Sequence, residues 1–555
     1  DPVGRVVEDW QDQHQISHIY NAGGERIQSR LPNGEQITYS YNTNSQFAGM
    51  AFNQQTVVVI AHDAMGRELK RMLGNQLGTE YRYDPQGRLA AQRTGKRDQD
   101  NKFTSVTQRG YQYNAYGQLA QIDDQLRGTT RYHYDVLDRL TQVDGPNPET
   151  FVHDPAGNIL GTHDRADIAQ SQQSNGNRLA FYGDNHYAYD DRGNRILNAR
   201  GKSQSLQQRL TYNALNQLES VENQQQKTTY LYDALGRRIS KRNATNETEF
   251  LWLDNSLLSE TTTQLESRTQ TAKIYLFEPG TNKPLAVVQD NEIYHYHLDH
   301  LGTPQEITNS RGKLAWSASF NAYGNLAIVH NNDIENNLRF QGQYFDEETG
   351  LHYNRFRYYD PVCGRFISQD PIGLLGGVNN YQYVPNPTGW IDPLGLSCKE
   401  NKYTNLKSMD AGYRGEELGF ANEWADFGNP EIEYLETGQQ RSDYEVFVKD
   451  KLLVDKNGTL IDSGGSNTGS LIFVMDSKGS IFAGEPKLME FHHSSFLAGA
   501  PVAAAGEIMV VDGMLVSHSR RSGHYKPDEI HHDQFKQELS DRGLDISGIN
   551  EDSVF

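Results

Sequence analysis

The sequence predicts a mainly β protein: a spiralling sheet shell built of Tyr-Asp repeats, followed by a separate small α+β domain. Three observations lead there. An aromatic-Asx-x-x-Gly unit recurs through the first half of the chain. The 555 residues have a mean hydropathy of -0.75, yet they include 31 Tyr and 21 Phe. The repeats also stop at Leu396, where the composition changes.

The repeat comes first. Tyr20-Asn21, Tyr41-Asn42, His62-Asp63 and Tyr83-Asp84 place Asx at 21, 42, 63 and 84, a constant step of 21 residues. The pattern continues with looser spacing at Tyr113-Asn114, Tyr134-Asp135, His153-Asp154, Tyr189-Asp190, Tyr212-Asn213 and Tyr232-Asp233. Asx opens a turn through its side chain, and Gly three residues later supplies positive φ. Alternating stretches such as 129–134 have strand period and composition. Each unit therefore reads as strand, tight turn, strand, and no unit can bury its own face, so neighbours must stack into one sheet. A propeller blade needs about 40–50 residues, twice this period, which favours a spiralling sheet.

The aromatic count explains the low hydropathy. Disordered chains lack aromatics, whereas Tyr buries area and keeps a polar tip, which suits a large, thin β structure wetted on one face. A chain of this length calls for more than one domain. The expected division is 1–335 for the repeat shell, 336–396 for a distinct motif-rich segment and 397–555 for the terminal domain.

Charge and cysteine narrow the function classes. A net charge of -20 argues against a general nucleic-acid-binding surface, which needs clustered Lys and Arg. Cys363 and Cys398 make neither a disulfide framework nor a Cys-rich zinc site. No apolar run approaches the length of a membrane span. The repeat pattern is already running at Asp1, so the chain reads as part of a longer product.

Residues 338–361 carry Leu-Arg-Phe-Gln-Gly-Gln-Tyr-Phe-Asp-Glu-Glu-Thr-Gly-Leu-His-Tyr-Asn-Arg-Phe-Arg-Tyr-Tyr-Asp-Pro, followed by Gly364-Arg-Phe-Ile-Ser-Gln-Asp370-Pro and Pro387-Thr-Gly-Trp-Ile-Asp392-Pro-Leu-Gly-Leu396. With the Tyr-Asp repeats, this stretch resembles the Rhs family, which includes insecticidal toxin-complex shells and the teneurins. The resemblance implies a hollow β cocoon around a variable C-terminal toxin, with self-cleavage between Leu396 and Ser397. Asp370 and Asp392, held close together, cannot both ionise, so one stays protonated and the other acts as base. The family places an Arg upstream of the first Asp in a supporting role. Arg357 is the first choice for it and Arg365 the second. Both Asp-Pro-x-Gly-Leu stretches also read simply as structural turns.

In the terminal domain, residues 415–424 have helical spacing. Residues 444–448, 471–475 and 508–511 read as strands, and 533–539 as a C-terminal helix. A zinc deaminase needs His-x-Glu with a Cys pair, a zinc protease His-Glu-x-x-His, and a Ser hydrolase a Gly-x-Ser-x-Gly elbow. None is present. His524, His531, His532 and Asp533 leave a metal-dependent nuclease open, and a non-enzymatic binding tip or a polar loop with satisfied histidines also remains. The stretch running through His492-His493-Ser494-Ser495, Ala505-Gly506-Glu507 and Ser522-Gly523-His524-Tyr525 resembles ADP-ribosyltransferase tips of Rhs toxins. That resemblance implies NAD as substrate and His493, Ser494, Ser495 and Glu507 as the transferase residues. It also implies His492, His524 and Tyr525 around the nucleotide, Tyr525 stacking on nicotinamide, and no metal. A carboxylate there would stabilise an oxocarbenium-like ribose. Glu507 follows the Ser pair more closely than the usual transferase order places the catalytic Glu, which leaves Glu529 and Glu538 as substitutes. The family further implies a secreted product delivered to a target-cell cytoplasm, a type VI secretion spike and chaperone, a cognate immunity protein, and a target in bacterial RNA or the translation machinery.

Overall fold

The computed structural model describes residues 1–396 except 3, 64, 98–101, 162–170, 175, 374–376 and 378. Beyond them it describes 407, 435, 438–449, 451–464, 466, 469–477, 479–486, 493–497, 501–522, 525, 527, 529–544, 546 and 549–551. The chain divides into two compact units, Asp1–Cys398 and Lys399–Phe555. Among the described residues no helix is long and apolar enough to cross a membrane.

The first unit follows from the chemistry of one repeat. At Asp63 the carboxylate Oδ1 accepts the backbone N–H of Met65 and Arg67, both at 2.9 Å, closing the turn through the side chain. Gly66 sits at φ 78°, a region that L side chains rarely adopt. Arg67 returns to Asp63 Oδ2 at 2.7 Å, and its guanidinium lies 4.7 Å from the ring of Tyr83 in the next repeat. The Tyr83 hydroxyl donates to the carbonyl of Glu68 at 2.8 Å. The same hydroxyl-to-carbonyl link joins Tyr20 to Val6, Tyr41 to Arg26, Tyr113 to Leu89, Tyr134 to Leu119, Tyr212 to Arg195 and Tyr232 to Leu218.

The pairing register shifts just before the aromatic residue in repeat after repeat, at Ile19/Tyr20, Ser40/Tyr41, Arg82/Tyr83, Gln112/Tyr113, Thr211/Tyr212 and Leu231/Tyr232. A bulge bends its strand and increases the local twist, so a periodic bulge curls the sheet. The result is a 14-stranded sheet from Glu8–Gln11 to Glu149–Thr150 and a 16-stranded sheet from Ser171–Ser174 to Leu326–Asn332, each with its strands in chain order. The two sheets meet. Gln11 exchanges two hydrogen bonds with the backbone of Trp252, at 2.7 and 2.9 Å. Ile16, Ile37, Met50 and Val58 share a core with Leu258, Leu276, Leu285 and Ile293.

The segment 336–396, expected as a separate region, is folded into this unit. Its four-stranded sheet comprises Tyr344–Asp346, Leu351–Asn354, Arg357–Asp360 and Arg365–Phe366. Asp346 pairs with Arg238 of the repeat sheet at 2.5 Å, with side chains 0% and 1% exposed. Arg238 also lies 4.5–5.5 Å from the rings of Tyr230, Phe250, Tyr344 and Tyr353. Lys241 reaches Asp346 and Glu348, both at 3.2 Å, so two cations meet two carboxylates.

The second unit is α+β, as expected. Its seven-stranded sheet runs, in spatial order, Leu452–Val454, Glu445–Lys449, Ile481–Gly484, Leu471–Met475, Ala504–Val511, Met514–Ser519 and Asn550–Glu551. The strand expected at 471–475 has those bounds, and the one expected at 508–511 begins earlier, at Ala504. The helix Glu529–Asp541 brackets the expected 533–539 and stacks Phe535 on Phe473, ring centroids 3.9 Å apart. The helix expected at 415–424 lies outside the described residues.

Removing one partner of a buried ion pair leaves the other charge uncompensated, which costs about 3–5 kcal/mol. Asp346→Ala is expected to destabilise the first unit by that amount, read as a shift in its denaturant midpoint. A change under about 1 kcal/mol, the level of an exposed pair, would show that Lys241 and Glu348 rearrange to compensate.

Candidate active site

The strands Leu351–Asn354 and Arg357–Asp360 form a hairpin in which Asn354 pairs with Arg357. Its two-residue turn places Arg355 at φ 57°, the positive φ that such turns require. The Arg355 guanidinium is held by the carbonyl of Leu235 at 2.8 Å. The turn also anchors the motif that ends at Leu396: Phe356 N–H donates to the carbonyl of Leu394 at 3.1 Å, and Asn354 Nδ2 donates to the carbonyl of Asp392 at 2.8 Å. Gly395, at φ 67°, packs so tightly that a Cβ there would lie 2.6 Å from the Asn354 carbonyl.

Both Asp-Pro-x-Gly stretches are structural turns. Asp370 Oδ1 accepts Ile372 N–H at 3.0 Å, and Asp392 Oδ1 accepts Leu396 N–H at 3.0 Å. They are also brought together. Arg357 Nη2 lies 2.9 Å from Asp370 Oδ2 and 3.3 Å from Asp392 Oδ2. Arg357 Nε donates to the carbonyl of Gly395, and Nη1 to that of Asn380 at 3.1 Å. The guanidinium sits 3.6 Å from the centroid of the Phe366 ring. All three charged side chains are at most 3% exposed.

The charge count sets this cluster apart from its neighbours. Arg238 and Lys241 meet Asp346 and Glu348. Arg109 and Arg127 meet Asp124 and Glu306. Arg195 meets Asp360 at 2.8 Å. In each, cations and carboxylates balance. Arg357 faces two carboxylates that are both at most 3% exposed, and two buried like charges sharing one counter-ion cannot both ionise cheaply. Burial raises the Asp370 carboxyl above its ordinary range against the opposing pull of Arg357, and the charge of Asp392 adds to the rise. Asp370 is thus the member whose carboxyl is pushed toward the protonated form. Asp392 accepts the Leu396 N–H and faces the Arg357 guanidinium.

Arg365, the second choice, is not in this centre. Its Nη2 donates to the carbonyl of Asn177, and its guanidinium lies 5.0 Å from the Tyr381 ring. Leu396 is the last described residue before 407, so the Ser397 side of the expected cut lies outside the described residues. Asn354 was not singled out from the sequence. Its signal, an Asn two positions ahead of Phe356-Arg357, gains meaning only from the hairpin.

In the second unit the expected residues fare unequally. His493 is buried, and its Nε2 is 2.9 Å from the carbonyl oxygen of Gly506. Ser495 is fully buried, and its carbonyl accepts Leu435 N–H at 2.9 Å. Glu507 is half-buried on the strand Ala504–Val511 and accepts the Ser470 hydroxyl at 3.2 Å. Ser470 is a partner that the sequence did not suggest. His492, His524 and the side chain of Ser494 lie outside the described residues, as does that of Glu529. Tyr525 requires a correction. It is 0% exposed and packs among Ile472, Val474, Phe482 and Phe496, so neither face of its ring is open to a nicotinamide. Glu538 is engaged by Arg542 at 2.8 Å. Of the four nuclease candidates, His524 lies outside the described residues and His531 is buried. His532 Nε2 meets His518 Nδ1 at 2.9 Å, both buried, whereas Asp533 is exposed and pairs with Lys536 at 2.6 Å. Among the described residues no three His, Cys, Asp or Glu side chains gather as a metal site.

The turn chemistry and the chain-ordered sheets define the first unit as a Tyr-Asp-repeat shell. More particularly it has the YD-shell fold: residues 113–385 match the Teneurin YD-shell family model. Residues 440–532 match the IQ motif-containing protein middle domain. Among curated proteins, the chain is 32% identical over 482 residues to Double-stranded DNA deaminase toxin A of Burkholderia cenocepacia, covering 79% of this chain and 33% of that one. It is 30% identical to Toxin protein Tse5 of Pseudomonas aeruginosa, covering 69% and 34%, and 29% identical to Probable deoxyribonuclease RhsA of Dickeya dadantii, covering 68% and 25%. The chain thus spans a quarter to a third of the length of these relatives. Among solved structures, the TcdB2-TccC3-Cdc42 crystal structure superposes with a TM-score of 0.59 at 21% identity, over 70% of this chain and 22% of that one. This likeness is one of fold.

The raised Asp370 carboxyl gives a pH expectation for any proton transfer at this centre. A group that must be protonated to act is lost as pH rises through its own pKa. Cleavage after Leu396, timed at a series of pH values, is therefore expected to slow on the alkaline side of a pKa lying above the usual aspartate range. A rate that holds level or climbs through neutral pH would remove Asp370 from the acid role.

Proposed function

We propose that this chain is the C-terminal part of an Rhs-type toxin whose shell encloses residues 397–555 and frees them by cutting its own backbone between Leu396 and Ser397. The observation that carries this reading is the single Arg357 guanidinium shared by two buried carboxylates, one of which holds the backbone N–H of Leu396.

The step balances with the groups present. Asp392 takes a proton from water, whose oxygen bonds to the carbonyl carbon of Leu396. Asp370 lends its proton to the carbonyl oxygen, as in a shared-proton carboxylate pair. Collapse of the tetrahedral intermediate breaks the C–N bond. The Ser397 nitrogen leaves as an amine carrying the proton that Asp392 received, and Leu396 ends as a carboxylic acid. Arg357 fixes the Asp392 carboxylate and, through the Gly395 carbonyl, the turn that presents the bond.

For the freed unit the reading is a NAD-dependent ADP-ribosyltransferase acting in the cytoplasm of a target bacterium, on RNA or the translation machinery. Glu507 would stabilise the oxocarbenium-like ribose. Its partly exposed carboxylate accepts the Ser470 hydroxyl, and His493 is fixed on the adjacent Gly506. NAD would be the substrate. A cognate immunity protein, a type VI secretion spike and a chaperone would be the partners. The names of the relatives favour a second reading, direct chemistry on nucleic acid, since two of them are called a deaminase and a deoxyribonuclease.

Two measurements separate these possibilities. Asp392→Asn should leave one full-length band on a denaturing gel where the unaltered chain gives two. A cut that persists would discard the shared-carboxylate mechanism. Residues 397–555 expressed in the bacterial cytoplasm should stop growth while NAD is consumed, and Glu507→Ala should relieve it. Growth arrest with degraded or deaminated nucleic acid and NAD intact would replace the transferase with the second reading. Enclosure predicts that 397–555 resists added protease while the shell is whole, and rapid digestion there would refute it.

A further inference from the structure

The self-cleavage just proposed needs a water molecule held against the Leu396 carbonyl, and neither Asp370 nor Asp392 has its oxygens wholly at liberty for that. Asp392 spends Oδ1 on the Leu396 amide and points Oδ2 at Arg357. Asp370 spends Oδ1 on the Ile372 amide and Oδ2 on the same guanidinium. A water held there has two O–H groups, and an acceptor besides the catalytic carboxylate would aim the second.

Two amide side chains beside the centre offer one. Asn354 is 0% exposed. Its Nδ2 donates to the carbonyl of Asp392 at 2.8 Å, which fixes the orientation of the amide, because the reversed amide would set two oxygens against each other. Its Oδ1 is fully buried and has no hydrogen-bond partner among the described residues. Asn380 repeats the pattern on the other carboxylate. Its backbone carbonyl accepts both Asp370 N–H at 2.9 Å and Arg357 Nη1 at 3.1 Å, and its side-chain Oδ1 is likewise buried without a partner. A buried polar atom left unsatisfied costs about 1–3 kcal/mol, and orphans of this kind call for an explanation in the function of the site. Here each belongs to a residue already bonded to one member of the centre.

We infer that Asn354 is a positioning residue for the cleavage: its Nδ2 holds the Asp392 turn, and its Oδ1 accepts one O–H of the hydrolytic water while Asp392 takes the other, with Asn380 Oδ1 bordering the same water site. This rests on the self-cleavage reading and adds to it the group that aims the nucleophile. Bond making and breaking are unchanged, because Asn354 neither gains nor loses a proton.

The test is a pulse-labelled cell-free translation of the full chain, chased on denaturing gels across pH, for the unaltered chain and for Asn354→Ala, Asn354→Asp and Asp392→Asn. Losing a hydrogen bond that aims the nucleophile is expected to cost about tenfold or more in rate. Asn354→Ala should therefore cleave about tenfold more slowly or worse, with every chain still cut in the end and the pH at which the rate falls unmoved. A merely structural defect would instead lower the fraction of chains that ever cleave. Asn354→Asp keeps an oxygen acceptor but adds a third carboxylate to the centre, next to Asp392. It should cleave faster than Asn354→Ala and carry the fall in rate to higher pH. Cleavage of Asn354→Ala within about twofold of the unaltered rate, or an Asn354→Asp profile that does not move, overturns the inference. If Asn354→Ala leaves a large uncut fraction, the Asn354→Asp profile decides by itself. Persistent cleavage in Asp392→Asn would bring down the parent reading. An inert Asp392→Asn beside a fully active Asn354→Ala would bring down only this one.

Discussion

One tyrosine hydroxyl, reaching back to a backbone carbonyl of the preceding turn, is the contact on which the shell depends. It recurs from Tyr20 to Tyr232 at 2.6–3.1 Å. A strand-turn-strand unit of this length has no interior of its own. It is stable only if the next unit covers it in a fixed register, and in a half-buried sheet a slip of one residue would turn every side chain to the wrong face. The tyrosine meets both needs. Its ring buries area against the neighbouring turn, with an arginine of that turn over its face in several repeats, and its hydroxyl satisfies a backbone carbonyl there. The low hydropathy and the abundance of tyrosine are therefore two consequences of one design.

Inside the shell, the segment before Leu396 is secured by buried charge more than by apolar packing alone. Arg238 with Asp346 and Arg195 with Asp360 tie it to the repeat sheet. A buried pair contributes little net stability over an apolar equivalent, but it tolerates no mismatch, so it suits a segment whose register must be unique. Against that background the Arg357 cluster is distinguished by setting two carboxylates, both at most 3% exposed, against one guanidinium. Two such carboxylates on one cation disfavour double ionisation, here beside the amide of Leu396.

The second unit shows the limits of residue type as a guide. Its strands and its C-terminal helix follow from hydrophobic runs, and most of them are found close to where the pattern placed them. Its polar residues do not sort so simply. Tyr525 and Ser495 lie in the interior, Glu507 remains partly open beside Ser470, and His532 turns to His518. Side chains adjacent in sequence on one helix, such as His532 and Asp533, face different surroundings because successive helical positions are rotated by about 100°.

The sequence by itself determined the shell, because a repeat states its own period and each turn is closed by residues within five positions of one another. It also determined the two aspartates of the candidate cleavage centre, through the Asp-Pro-x-Gly-Leu motifs and the resemblance they carry. Tertiary structure alone decided that Arg357 rather than Arg365 joins the two aspartates, that burial raises the Asp370 carboxyl, that Asn354 bonds the Asp392 carbonyl, and that Tyr525 is core. The physical reason is range. A turn is written in contacts between near neighbours, whereas protonation and side-chain orientation depend on burial and on partners tens to hundreds of residues away, which become neighbours only once the sheets have closed.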